Sequence, residues 1–238
     1  MTFSPEDAVS SFENSSPTPR RTFLGRAATG AAALAAVPFL ARCADAAQAP
    51  AASAAASASD EAWLKPLTGK HKQVFDTPAT NEGFPLLFAM AYLNTMNDTY
   101  KLKPGEASAI IVTRHFGIPI ALGDAVWAKY KLGKFFKLND PKTKKPSERN
   151  YFFNAKEGDI AMIDASAEKL LARGVVIGVC NVALTVLSGM ASAGMGMKPE
   201  DAYGEWKAGI IPGAMIVPSG VLAVGRSQEH GCTYCFAG

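Results

Sequence analysis

The chain has 238 residues, with 24 Lys/Arg against 21 Asp/Glu for a formal net charge of +3, and 48% of its residues are hydrophobic. A balance this mild, with no interleaving of aromatic and basic residues, argues against a nucleic-acid partner. Four cysteines, Cys43, Cys180, Cys232 and Cys235, make thiol chemistry the first question.

Arg20-Arg21-Thr22-Phe23-Leu24-Gly25 is a twin-arginine pair running into apolar residues, and the stretch 27–40 behind it is uncharged and alanine-rich. It falls short of the roughly 20 residues that cross a bilayer as a helix. It fits the apolar region of a signal peptide, with Ala44-Asp45-Ala46 as the small-x-small cleavage pattern. Residues 1–46 therefore read as a twin-arginine signal peptide, and the mature protein as periplasmic. Arg42 stands directly before Cys43, where lipidation expects a small residue. Residues 47–60 are almost all Ala and Ser, offer little apolar surface to offset ordering, and read as a flexible linker. From Glu61 on, about 180 residues remain, enough for one domain, 61–238, with a sizeable core. Three cysteines survive processing. An oxidising compartment favours disulfides, but an odd number leaves at least one thiol unpaired within the monomer.

Within the domain, residues 71–75 read as a first strand closed by Asp76-Thr77-Pro78. Residues 82–100 carry Phe84, Leu87, Phe88, Ala91, Leu93 and Met96 at helical spacing. Residues 107–113 form a β-branched second strand that delivers Arg114-His115-Phe116-Gly117 at its end, and 119–130 read as a helix with Pro119 in its first turn. Residues 132–158 lack periodicity and are rich in Lys, Pro and Asn. That is too long for an ordinary connection and is expected to be a lid, an arm or an oligomer contact. Eight Lys/Arg against two acidic residues fall within 129–149, as expected of a solvated loop or of an anion or partner site. A helix over 159–173 follows.

Next comes the short apolar run Gly174-Val175-Val176-Ile177-Gly178-Val179-Cys180, which reads as a buried parallel strand ending on a cysteine. Helices over 182–193 and 198–206, a short strand over 214–217, a closing helix over 219–230 and a tail over 231–238 complete the chain. Strands alternate with helices and are apolar on both faces. The expected fold is therefore α/β, a doubly wound, flavodoxin-like, mostly parallel sheet of four to five strands with helices on both faces.

Parallel strands place their carboxyl ends on one edge, where open α/β sheets bind ligands. That edge is expected to gather Asp76 and Thr77, Arg114 and His115, Cys180 and Asn181, and Ser219. Cys180 at a helix start is a candidate nucleophile, with His115 and Arg114 steadying its thiolate. Packed as a small core residue, it would carry no chemistry. His230-Gly231-Cys232-Thr233-Tyr234-Cys235 offers a CxxC. Cys232 and Cys235 read as a local disulfide or redox pair, with free thiols or a metal site completed by His230 as the alternatives. One His and two Cys fall short of the usual four ligands. The Met-rich stretch 189–197 fits core or loop filling better than copper. No GxGxxG after a strand, Walker lysine, HExxH or GxSxG is present. No cofactor is expected.

The segment from Gly174 to Cys180 with Asn181-Val182-Ala183-Leu184 resembles the strand of DsrE/DsrF-like proteins that ends in a sulfur-accepting cysteine. Ile216-Val217-Pro218-Ser219-Gly220-Val221, continuing to Gln228-Glu229-His230-Gly231, is similar to that family's closing pattern of valine-proline-x-glycine-valine, helix, and glutamine-x-x-glycine. The similarity spans residues 71–231. It implies a small doubly wound domain that oligomerises as trimers or hexamers and, where the cysteine is present, relays persulfide sulfur. By that resemblance Cys180 is the sulfur carrier. The signal peptide, the 132–158 insertion and the terminal CxxC depart from the family's short cytoplasmic members. The expectation is a periplasmic protein handling sulfur or thiols through a persulfide on Cys180, with Asp76, Thr77, Asn181 and Ser219 lining its pocket. The alternative is a non-catalytic accessory subunit that docks on a periplasmic or membrane redox complex through 132–158 and its aromatic cluster Tyr151-Phe152-Phe153.

Overall fold

The four strands read from the sequence form and the tail adds a fifth: β1 His71–Ala79, β2 Ala107–Phe116, β3 Val176–Cys180, β4 Met215–Val217 and β5 Thr233–Phe236. The computed structural model describes residues 61–238; the signal-peptide and linker readings, 1–46 and 47–60, lie outside them. The strands form one sheet of order β4-β3-β2-β1-β5 with every pairing parallel. Its register aligns Cys235, Phe75, Ile111 and Ile177 in one row across four strands.

Successive side chains of a strand point to opposite faces, so the sheet divides by parity. Phe75, Ile111, Ile177 and Val179 enter the larger core, while Val74, Ile110, Val112 and Val217 enter the smaller one. The larger core is roofed by α1 (Phe84–Tyr100), α2 (Asp124–Tyr130), α3 (Leu132–Phe135), α4 (Ala167–Ala172), α5 (Asn181–Ser192) and α6 (Pro199–Ala208). The smaller is closed by α7 (Gly220–Glu229) and the turn of 3-10 helix Ala62–Leu64. Right-handed crossovers explain the split. Three successive steps from β1 to β4 move one way across the sheet and keep their helices on one side. The return from β4 to β5, beyond β1, must then cross the other side. The doubly wound α/β expectation holds, with five strands.

Several boundaries differ from the periodicity reading, each for a local reason. The first helix starts at Phe84, because Glu82 and Gly83 lie in left-handed backbone (φ 52° and 88°). The 119–130 segment divides into a 3-10 turn, Ile118–Ala121, and α2, separated by extended Gly123. The 159–173 segment shortens to a 3-10 turn, Ile163–Ala165, and α4. The tail is not a loose end: β5 pairs with β1 and forms the far edge of the sheet.

The 132–158 segment is pinned rather than free. Asn150 is buried; its side chain donates to the carbonyls of Ile120 and Leu122 and accepts from the Phe152 N–H. Arg149 bridges Asp140 and Asp159. Tyr151 and Phe152 are buried, with ring centroids 5.8 and 6.4 Å from Trp127. This corrects the docking role given to the aromatic cluster: two of its three rings belong to the core. The segment's lysines Lys134, Lys137, Lys142, Lys144 and Lys145 face outward, with Glu148 and Glu157 exposed beside them.

Candidate functional site

The carboxyl edge is shaped first by a bulge. Thr77 pairs with Thr113 and Ala79 with Phe116, so β2 fits one more residue than β1 into the same span. His115 takes up the excess in left-handed backbone, φ 48°. Such a bulge re-aims the side chains around it, here Arg114 and His115. The turn that follows needs Gly117, whose absent Cβ would meet the Thr77 carbonyl oxygen at 2.1 Å.

Arg114 is held from below. Its Nε donates to Asp76 Oδ1 at 2.6 Å and its Nη2 to Oδ2 at 3.0 Å, a bidentate pair with the carboxylate almost fully buried. Tyr234 of β5 donates its hydroxyl to the same Oδ2 at 3.0 Å. The Asp76 hydrogen bonds raise the affinity of Arg114 for its proton, and charge on Cys180 adds to the effect. Nη1 has no hydrogen-bond partner among the described residues. The guanidinium therefore keeps one edge for something else.

Cys180 ends β3 and caps α5: its Sγ accepts the Ala183 N–H at 3.3 Å, and the residue is only 5% exposed. Across from it, Ser219 Oγ accepts the Leu222 N–H at 3.1 Å and caps α7. Two helix amino termini, each with positive partial charge, thus flank one cleft of about 370 Å³ lined by Arg114, His115, Cys180 and Ser219 together with Phe116, Val182, Val186, Met190 and Val221. No carboxylate and no lysine lines it.

The structure therefore gathers Cys180, His115, Arg114 and Ser219 as the parallel topology predicts. Three other expected lining residues are elsewhere. Asp76 lies inside β1 beneath Arg114, because that strand runs four residues past Phe75. Thr77 is fully buried, its hydroxyl turned toward the Phe75 carbonyl. Asn181 Oδ1 accepts from the Tyr203 hydroxyl at 2.8 Å, tying α5 to α6 rather than facing the cleft. Sequence reasoning missed Tyr234 and Gly220. It also missed Val182, Val186 and Met190, although their i, i+4, i+8 spacing on a helix was a usable signal.

The CxxC expectation is corrected. Cys232 and Cys235 are free thiols. Cys232 packs in the smaller core and Cys235 against the larger one, on opposite faces of the sheet. Three residues of extended chain span about 10 Å, beyond the roughly 7 Å limit between bridged Cα atoms. Among the described residues no three His, Cys, Asp or Glu side chains come together to hold a metal ion, His230 with the two cysteines included.

No family model and no curated protein matches this chain. Among solved structures it is similar to a protein of unknown function, MTH1491, from Methanobacterium thermoautotrophicum, at 17% identity and a TM-score of 0.39 over 70% of this chain and 98% of that one.

Proposed function

We propose that this protein carries sulfur as a persulfide on Cys180, in the manner of the DsrE/DsrF-like proteins its sequence resembles, and that it works in the periplasm. The observation that carries the reading is the setting of one atom. Cys180 Sγ sits at the amino end of a 12-residue helix, hydrogen-bonded to a backbone N–H, in a cleft whose one firmly held charge is the Arg114 guanidinium. Thiolate is the nucleophile in sulfur exchange, and N–H groups and a guanidinium are what a negatively charged sulfur binds.

The transfer is a substitution at sulfur. The Cys180 thiolate attacks the outer sulfur of a donor R–S–SH; a new S–S bond forms on Cys180 as the donor's S–S bond breaks. The electron pair of that bond leaves on R–S⁻, and the outer sulfur keeps its proton. Nothing is oxidised or reduced overall. In this reading His115, which lines the same cleft, exchanges the proton of the resulting persulfide.

The test is incubation of reduced protein with a persulfide or polysulfide donor, followed by intact mass. A gain of one sulfur atom that maps to Cys180 and vanishes in Cys180→Ser is expected. Absence of that adduct, or its appearance on Cys232 or Cys235 instead, overturns the proposal.

A further inference from the structure

Helix α5 is apolar where folding does not require it. Ala183, Leu184 and Leu187 already bury its inner face. An amphipathic helix of a soluble domain places polar groups on the other side, yet here Val182, Val186 and Met190 lie there at 54%, 54% and 56% exposure. Spaced i, i+4 and i+8, they make a stripe about 12 Å long that starts beside Cys180 and runs outward along the helix. Val221, 75% exposed at the start of α7, faces it across the cleft. Clustered exposure of this kind marks a binding surface, whereas scattered apolar residues do not.

We infer that the sulfur donor of this site is an apolar organic persulfide, R–S–SH, whose alkyl or aryl body lies along the α5 stripe, whose outer sulfur meets Cys180, and whose inner sulfur, which takes the negative charge as it leaves, meets the free Nη1 edge of Arg114. The inference rests on the persulfide reading above and names its substrate class. Charge argues for one sulfur that becomes anionic on transfer and for no other charged group. With no carboxylate in the lining, a donor's ammonium group would be buried without a partner, and a donor carboxylate would have to compete with the leaving sulfur for the Arg114 edge, which is unfavourable. An inorganic polysulfide would leave the stripe uncovered. The reaction is the balanced exchange already given, with R apolar: the donor departs as R–S⁻ and its outer sulfur remains on Cys180.

Two measurements separate this inference from the reading it rests on. The first uses Cys180→Ser protein and n-alkanesulfonates of increasing chain length, which mimic an anionic head on an apolar tail and cannot transfer sulfur. Each added methylene is expected to tighten binding about twofold by calorimetry, since a half-open trough recovers roughly half the effect of full burial of a CH₂. V186E is expected to abolish the length dependence, and V186S, which cannot disturb folding through charge, to weaken it. A Kd that does not change with chain length overturns the inference, whatever Cys180 does. So does V186E shifting the oligomeric state on gel filtration with sulfonate affinity untouched, since the stripe would then be a contact between copies. The second follows sulfur gain at Cys180 in the parent protein. Transfer from octyl persulfide is expected to be at least tenfold more efficient than transfer from ethyl persulfide. Equal transfer from both overturns the inference and leaves the persulfide reading standing, whereas no adduct from any donor overturns the reading.

Discussion

Gly220, the first residue of α7, lies so close to Arg114 that a Cβ added to it would sit 2.4 Å from the Arg114 Cβ. The clash would fall on the root of the side chain, which cannot swing away as a flexible tip could. The glycine thus lets α7 start directly over the end of β2, bringing the Ser219 cap and Arg114 to one cleft. G220A is expected to lower stability by about 1–3 kcal/mol, as overpacking of a close contact does, and to slow sulfur transfer to Cys180. A urea midpoint equal to that of the parent protein would contradict this.

The Asp76 carboxylate is shared by Arg114 and Tyr234, which links the sheet's edge strand β5 to the site. Asp76→Asn keeps the shape but removes the charge that holds the guanidinium, and is expected to destabilise by about 2 kcal/mol, the scale for a hydrogen bond to a charged group. Tyr234→Phe removes one bond from a half-exposed ring and should cost about 0.5–1 kcal/mol. Because both act on one carboxylate, the double variant should lose less than the sum. Additive losses in a denaturation cycle would show that Tyr234 takes no part in holding Arg114.

How much of this was legible in the sequence follows from range. The strand ending at Cys180 was readable because an apolar run between glycines has no polar face to expose, and parallel topology then predicted which strand ends meet. Asp76 was misplaced because a charge inside a strand reads as its end; the partner that makes it tolerable, Arg114, lies 38 residues away. The tail shows no strand in the sequence for a related reason. Thr233–Phe236 is short and largely exposed, and its pairing with β1 bridges about 160 residues. Tyr151 and Phe152 read as a surface cluster because they follow a lysine-rich stretch, whereas Arg149 and Asn150, directly before them, anchor the backbone and the rings turn inward.

The Arg149 cluster makes stability depend on acid. Hydrogen bonds from Arg149 hold the Asp159 carboxyl below its ordinary range, and backbone N–H groups, Thr143 foremost, do the same for Asp140. A carboxyl whose folded pKa is depressed adds stability that is complete above its unfolded value, near 3.9, and is lost as pH falls through the folded one. The urea midpoint of the parent protein is therefore expected to be flat from pH 7 to about 5 and to drop below about 4. Asp159→Asn should lose about 2 kcal/mol at pH 7 and show a shallower acid slope. An acid slope as steep as that of the parent would place the titrating groups elsewhere.

The three thiols of the domain are expected to differ in reactivity by position. Burial pushes Cys232 up, with Lys72 offsetting part of the effect, and burial pushes Cys235 up as well. Both therefore hold fewer thiolates at pH 7 than an ordinary cysteine near 8.5, and neither opens onto the cleft. Cys180 is as buried as Cys232, 5% against 6%, but it lines the cleft. Brief iodoacetamide treatment of the folded protein at pH 7 should label Cys180 first, and raising the pH well above 9 should bring in the other two. Mass analysis of the denatured chain before and after reductant should show no bridge between Cys232 and Cys235, since the strand turns them to opposite sides of the sheet. Labelling of Cys235 ahead of Cys180, or a recovered 232–235 bridge, would mean that β5 leaves the sheet edge in solution and that the cleft is not the reactive centre.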